Sequence, residues 1–246
     1  MNRAIGSISA LCWLLSAPAV GEPVLAVAFT AQNEAPYALL TGGELTSGLI
    51  HDIALDLGGR LHWRVAFVSL SRNRIEAALL DGTADLYCGL NPAWIEAPER
   101  LRWSPPLFAE NDVFVVQPGA APIAGWADLR GRRIGTILGY RYAPAMEAMF
   151  AAGTAMRDDA QLVASNFGRL KLGWVDAVLT SEVVMRYQQR NNPDLADFTV
   201  APLVEASNEI YCAAADRPDL PGDQIVAGFG AMIAEGRIEA ILASYR

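Results

Sequence analysis

The sequence predicts an α/β protein built from two similar lobes. Three observations carry that expectation. Apolar runs of strand length alternate with stretches of helical period, in the order strand, helix, strand, helix, strand, which implies right-handed parallel crossovers. The same alternation starts again after Pro118-Gly119. The two halves also share a local echo: "LLDGTADLYCG" and "LKLGWVDAVLTS" each run from a helix end through Gly, two residues and Asp into an apolar strand, so that Gly82 and Asp85 answer Gly173 and Asp176. Turn chemistry alone would produce such an echo; the repeated strand-helix order is what favours two lobes.

The elements follow in order. "VLAVAFT" (24–30) is a buried strand. "GLIHDIALDLGGRL" sets Leu49, Ile53 and Leu57 on one helical face, with Gly58-Gly59 as its stop. "HWRVAFVSL" returns as a strand, and Ser71 is placed to cap the helix "RNRIEAALLDG", which Gly82 ends. "ADLYCGL" is the next strand. After an irregular loop, "NPAWIEAPERLRWSPPLF" (91–108), "DVFVVQPG" is a strand. The second half reads as strand "RRIGTILG", helix "YAPAMEAMFAAG", strand "AQLVAS", short helix "NFGRLKLG", strand "VDAVLTS", helix "EVVMRYQQRN" and the late strand "EIYCAAA". Two helical stretches close the chain, the second being "RIEAILASY".

Composition bounds the function. The chain has 246 residues, 52% hydrophobic and 19% charged, which excludes a disordered chain. A net charge of −8, with no basic run beyond "RGRR" (130–133), excludes nucleic acid as a partner class. The first residues have a short basic start, an apolar run too short for a comfortable span, and the small-residue stretch Ala17 to Ala19. Residues 1–21 therefore read as a signal peptide, cleaved near Ala19–Gly21, and the mature chain as soluble and periplasmic. Cys88 and Cys212 remain after cleavage; in an oxidising compartment they either pair or serve as small buried hydrophobes. No His, Cys or carboxylate cluster has metal-ligand spacing, and no cofactor motif is present.

Several segments in the right order resemble the periplasmic solute-binding proteins of the polar-amino-acid type (extracellular solute-binding family 3, type II periplasmic fold). "EAPYALLTGGELTSGLIHDIA" resembles the family's aromatic first loop and the helix it opens. "AALLDGTADLYCG" resembles its "L-x-x-G-x-x-D" turn, and "APERLRWSPPLF" its "T-x-x-R … F-S-x-P-Y" segment. "DLRGRRIGTILGYRY", "GWVDAVLTS" and "MIAEGRIEAILASY" match three further motifs. The resemblance spans nearly the whole mature chain. It implies one lobe from residues 22–114 plus 209–246, a second lobe inserted at 115–208, and two hinge strands near 113–117 and 209–213 that permit closure over a ligand. It also sets the strands of Cys88 and Cys212 side by side, which makes a disulfide geometrically feasible.

The same resemblance supplies candidate ligand residues. In the family the loop arginine pairs with a ligand carboxylate through its planar fork. Arg100 matches it, with Arg102 as the alternative because the spacing to Trp103-Ser104 is short. Tyr37, Asn91, Trp94, Tyr140, Arg141, Ser181 and Glu182 fall on cleft-facing loops at the carboxyl ends of strands. Ser181 stands where the family carries the aspartate for a ligand ammonium, and Tyr140 where it carries a Ser or Thr. Since a buried ammonium without a carboxylate partner is costly, two arginines with three aromatic residues point to an anionic or carboxylate-bearing solute rather than a standard zwitterionic amino acid. The expected protein is a non-enzymatic monomer that presents a small-molecule ligand to an ABC transporter permease or a membrane sensor. Two alternatives stand beside it: a cyclohexadienyl-dehydratase-like enzyme, for which Glu34 and Glu182 are the cleft carboxylates, and an accessory protein of a periplasmic redox enzyme or receptor, docking through Trp126 or Trp174.

Overall fold

The computed structural model describes residues 22–246. The segment read as a signal peptide, with Cys12, lies outside the described residues. In chain order the elements are β1 (Val24–Phe29), β2 (Leu39–Thr41), β3 (Glu44–Ser47), α1 (Leu49–Leu61), β4 (Arg64–Ser69), α2 (Ile75–Asp81), β5 (Leu86–Leu90), β6 (Leu101–Trp103) and β7 (Phe108–Val116). Then follow β8 (Arg133–Ile137), α3 (Pro144–Ala151), β9 (Met156–Ala160), α4 (Val163–Lys171), β10 (Ala177–Ser181), α5 (Glu182–Asn191), β11 (Thr199–Ala215), α6 (Gly222–Ala234) and α7 (Arg237–Tyr245).

The main sheet runs β4-β1-β5-β11-β7-β10-β8-β9, with β6 added to β11. At one end β4, β1 and β5 are parallel, and at the other β9, β8 and β10 are parallel. Between them lie two long antiparallel strands. The first part of β11 pairs with β7 as far as Ile210, and its last residues pair with β5 and β6. Two α/β units thus meet through β7 and β11, the two-lobed architecture that the repeated strand-helix order predicts.

Each unit buries its own core. In the first, Leu25, Val27, Leu49, Ile53, Leu57, Leu86, Phe229 and Ile241 form one cluster between sheet and helices. In the second, neighbouring residues on a strand turn to opposite faces: Val115 and Val178 pack with Phe167 and Leu170, while Phe114 and Leu179 pack with Ile134 and Met146.

The echo between the halves has a structural basis. Asp85 accepts from the amide of Ala26 at 2.7 Å, and its own amide donates to the Ala26 carbonyl at 2.7 Å. Asp176 does the same with Arg133, at 2.7 and 2.8 Å. In each lobe an aspartate at the start of one strand locks the neighbouring strand's register. Asp85 is 4% exposed and also pairs with Arg217 at 2.6 Å, whereas Asp176 is exposed. Asp85→Ala is therefore expected to cost about 2–4 kcal/mol by leaving the part-buried Ala26 amide without its acceptor and removing the buried one of the two carboxylates that hold Arg217. Asp176→Ala should cost roughly 1 kcal/mol. Urea unfolding of both variants checks the ranking; equal losses would remove burial as the cause.

Five local expectations need correction. Ser71 makes no capping hydrogen bond, and Arg72–Arg74 form a 3-10 turn ahead of α2. Helix α1 runs through Gly58-Gly59 to Leu61, and its stop is His62 at φ 56°. Gly58 is there for close packing: a Cβ would lie 2.5 Å from Val65 Cγ2. The strand expected over "AQLVAS" is instead β9, the preceding "MRDDA", and Val163 already begins α4. A charged strand is compatible with its place at the sheet edge. There Arg157 pairs with Asp159 and Asp158 with Arg169. Strand β11 is 17 residues long rather than the seven of "EIYCAAA", because polar residues alternate along its half-exposed length. Strand β7 starts at Phe108, four residues before the expected Asp112.

Cys88 and Cys212 are register partners on β5 and β11, with Cα atoms 4.0 Å apart, and are joined in a disulfide.

Candidate ligand cleft

The cleft lies where the carboxyl ends of the parallel strands of the two lobes face each other. Beyond β1 the chain turns on itself: Asn33 Oδ1 accepts from the Thr30 amide at 2.8 Å and Asn33 Nδ2 donates to the Tyr87 hydroxyl at 3.0 Å. This fixes the loop that carries Glu34 and Tyr37. The Glu34 carboxylate reaches across to the second lobe and accepts from the Val163 amide, the first residue of α4. Helix α4 has no side-chain cap of its own, so a carboxylate from the opposite lobe meets its orphan amide and positive dipole end. Tyr37 packs against the cores of both lobes. Its hydroxyl donates to Glu110 Oε2 at 2.5 Å.

A second crossing point joins Arg72, in the turn before α2, to Tyr140 after β8. The guanidinium stacks over the ring at 4.2 Å and Nη1 donates to the hydroxyl at 3.1 Å. Farther round, Tyr187 of α5 lies 6.4 Å from Tyr245 of α7, and Arg190 donates to the Arg246 carbonyl at 2.7 Å. The lobes thus touch on several sides of the hinge.

The floor of the cleft is the hinge itself, and it is acidic. Glu110 and Asp112 alternate along one face of β7, and Glu205 comes from β11. Asp112 accepts from Asn208 at 2.9 Å, and Glu205 accepts from the Ala143 amide at 2.6 Å, just before α3. Burial pushes Glu110 up to about 7, against the opposing pull of the Ser181 and Tyr37 hydroxyls. Burial likewise raises Glu34 and Glu205 to about 7 and Asp112 to about 6. Burial also pushes Tyr37 well above its usual value and Tyr140 to about 12.

The candidate residues from the sequence fall into two groups. Tyr37 and Tyr140 converge on the cleft, and Ser181 sits beside Glu110 while capping α5 through the Val184 amide at 3.2 Å. The others are placed differently. Arg100 ends a short 3-10 turn and Arg141 follows Tyr140; both are exposed. Arg102 is held by Asp216 and Asp223, each at 2.8 Å. Asn91 closes its Asn-Pro turn on the Ala93 amide and donates to the Glu209 carbonyl, both at 2.9 Å. Trp94 is 45% exposed. Glu182 pairs with Arg186 at 2.5 Å, which holds its carboxyl below the usual range. Arg72, Glu110, Asp112 and Glu205 were not among the sequence candidates. Trp174 is 63% exposed, whereas Trp126 packs on the second-lobe core.

Two α/β lobes that exchange the chain through β7 and β11, with a cleft at their strand ends, define the type II periplasmic-binding-protein fold. Solved structures agree. An ancestral arginine-binding protein bound to arginine superposes with a TM-score of 0.74 at 21% identity, covering 91% of this chain and 98% of that one. An ancestral amino acid-binding protein, a precursor of cyclohexadienyl dehydratase, gives 0.73 at 19% identity over 90% and 95% of the two chains. A histidine kinase sensor domain with similarity to periplasmic binding proteins gives 0.71 at 19% identity over 91% and 96%. At these identities the likeness establishes the fold. No protein-family model and no curated protein matches the sequence.

Proposed function

We propose that the chain is an exported solute-binding protein that captures a small molecule by closure of its lobes and presents it to a membrane transporter or sensor. The observation that carries this reading is the set of side chains from both lobes meeting over the hinge: Glu34 and Tyr37 from one side, Tyr140 and the α4 terminus from the other. Export is supported by the N-terminal sequence pattern and by the Cys88–Cys212 bond, which belongs in an oxidising compartment. No described helix is long and apolar enough to cross a membrane. Structural neighbours that include the substrate binding protein of an amino acid ABC transporter and a histidine kinase sensor domain support both kinds of partner.

A thermal-shift screen of the mature chain against amines, amino acids, simple carboxylates and aromatic acids tests the reading. A ligand at 100 times its Kd adds about 2.7 kcal/mol, which raises Tm by roughly 5–10 °C for a chain of this size. If no compound in any class stabilises the protein, solute capture is lost as its function. The anionic-solute reading is favoured by Arg72 inside the cleft and requires Arg100 or Arg141 to turn inward; it predicts hits among the carboxylates that weaken in Arg100→Ala. The dehydratase reading requires turnover of prephenate or arogenate by the purified chain.

A further inference from the structure

We propose that the chain closes its lobes without a solute, through two latches made of its own side chains: Glu34 on the N-terminus of α4 and Arg72 on the ring of Tyr140. The proposal goes beyond the solute-binding reading, because it concerns the unliganded chain and can fail while solute capture stands. These contacts differ from ordinary packing in that they do nothing for the lobe that carries them. Among the described residues the Glu34 carboxyl makes one hydrogen bond, and its donor, the Val163 amide, belongs to the other lobe. The Arg72 side chain likewise makes one hydrogen bond, at 3.1 Å to the Tyr140 hydroxyl, and that hydroxyl has Arg72 as its one partner. Other arginines behave differently. Arg60, Arg102, Arg157 and Arg217 each pair with two carboxylates of their own lobe.

Each latch meets a need of the opposite lobe. Helix α4 has nine residues and no side-chain cap, so its first amide and positive dipole end lack an acceptor until Glu34 reaches them. The Arg72 guanidinium lies 4.2 Å from the Tyr140 ring centroid, where the ring quadrupole attracts a cation. Glu34 follows β1 and Arg72 precedes α2, while Val163 opens α4 and Tyr140 follows β8. The latches therefore bridge one gap at two separate points, and a hinge motion that widens the gap strains both. Tyr37 adds an apolar contact, since its ring packs on the cores of both lobes. On opening, water replaces each partner, so a latch contributes only the difference between the two, about tenfold in the closed-to-open ratio for a hydrogen bond that involves a charged group. The device is autoinhibitory. A solute that needs the ring of Tyr140 or the α4 terminus must first displace Arg72 or Glu34, and its apparent affinity falls with the fraction of the chain that is latched.

Small-angle scattering of the unliganded mature protein tests this at pH 5, below the value of about 7 at which burial holds Glu34. The variants are Glu34→Ala, Arg72→Ala, the two combined, and Glu34→Gln, whose amide oxygen still accepts from Val163. Circular dichroism verifies that each keeps the secondary structure of the parent. The expected result is a parent profile that fits the closed structure and an open-to-closed ratio that rises about tenfold in each alanine variant and about a hundredfold in the double variant. The double variant then has the largest radius of gyration, and Glu34→Gln stays as compact as the parent. A parent profile that fits only lobes farther apart than in this structure overturns the proposal. A double variant as compact as the parent overturns it too, because hinge and packing alone then hold the lobes. Expansion of Glu34→Gln to the extent of Glu34→Ala removes the Val163 hydrogen bond as a latch.

Discussion

Replacing Cys88 and Cys212 together by serine is expected to lower the melting temperature by roughly 10–20 °C. The bond closes a loop of sequence separation 124, which contains the whole of the second α/β unit. In the chain-entropy account a loop of that length restrains the unfolded chain by about 5 kcal/mol. A chain of this size shifts by roughly 2–4 °C for each kcal/mol. Both sulfurs are in the first-lobe core, at 1% and 0% exposure, so two serine hydroxyls would add a desolvation cost in the same direction. Calorimetry of the double variant against the oxidised parent measures the sum. Reducing the parent with dithiothreitol should reproduce most of the loss without the hydroxyl contribution. A double variant as stable as the parent would mean that the bond constrains nothing the native strands do not already hold, since β5 and β11 pair in register at that point.

The fold was legible because it rests on patterns a sequence carries openly. Helix α5 and helix α7 match their expected spans residue for residue, since their apolar spacing and their borders agree. The Gly-x-x-Asp echo was visible as letters, and the two aspartates perform the same bond in each lobe. Strand β9 was missed because an edge strand need not be apolar, and "MRDDA" gives no alternation to find. The cleft was legible only in part. Tyr37 and Tyr140 were found from loops at strand ends. Glu110 and Asp112 were not, because Glu110 precedes the expected strand "DVFVVQPG" and Asp112 only begins it. Only the three-dimensional pairing of β7 with β11 and β10 turns that segment into the floor of a cleft. Its one local signal was an acidic run directly before a hinge strand. Position 181, where the family resemblance places a counter-charge, holds Ser181; the carboxylate beside it, Glu110, comes from another strand.

The largest pH effect should appear in lobe closure. Glu34, Glu110 and Glu205 are held at about 7 and Asp112 at about 6 in the closed arrangement. In solvent such groups titrate near 4. The closed form therefore binds more protons than any form that exposes them, and by linkage its stability falls as pH rises. Its full stability is present below about 4, and the loss accumulates until pH passes about 7. A carboxyl held at 7 instead of 4.5 costs on the order of 3 kcal/mol to ionise in place. Nearby groups modify this without reversing it: Asp112 opposes ionisation of Glu110 and Glu205 and Glu147 opposes that of Glu205, while the Ser181 and Tyr37 hydroxyls and the Arg246 charge favour it at Glu110 and the Ala143 amide favours it at Glu205. Tyr37 and Tyr140, raised by burial, stay neutral in this range. The unliganded protein can relieve the cost by opening, since opening frees Glu34 from the α4 terminus and lets water reach the hinge. Small-angle scattering should accordingly give a larger radius of gyration at pH 8 than at pH 5, and Glu34→Gln, which retains an oxygen for the Val163 amide but does not titrate, should shrink the difference. A radius of gyration that is constant from pH 5 to 8, in parent and variant alike, would show that these carboxyls do not hold the lobes.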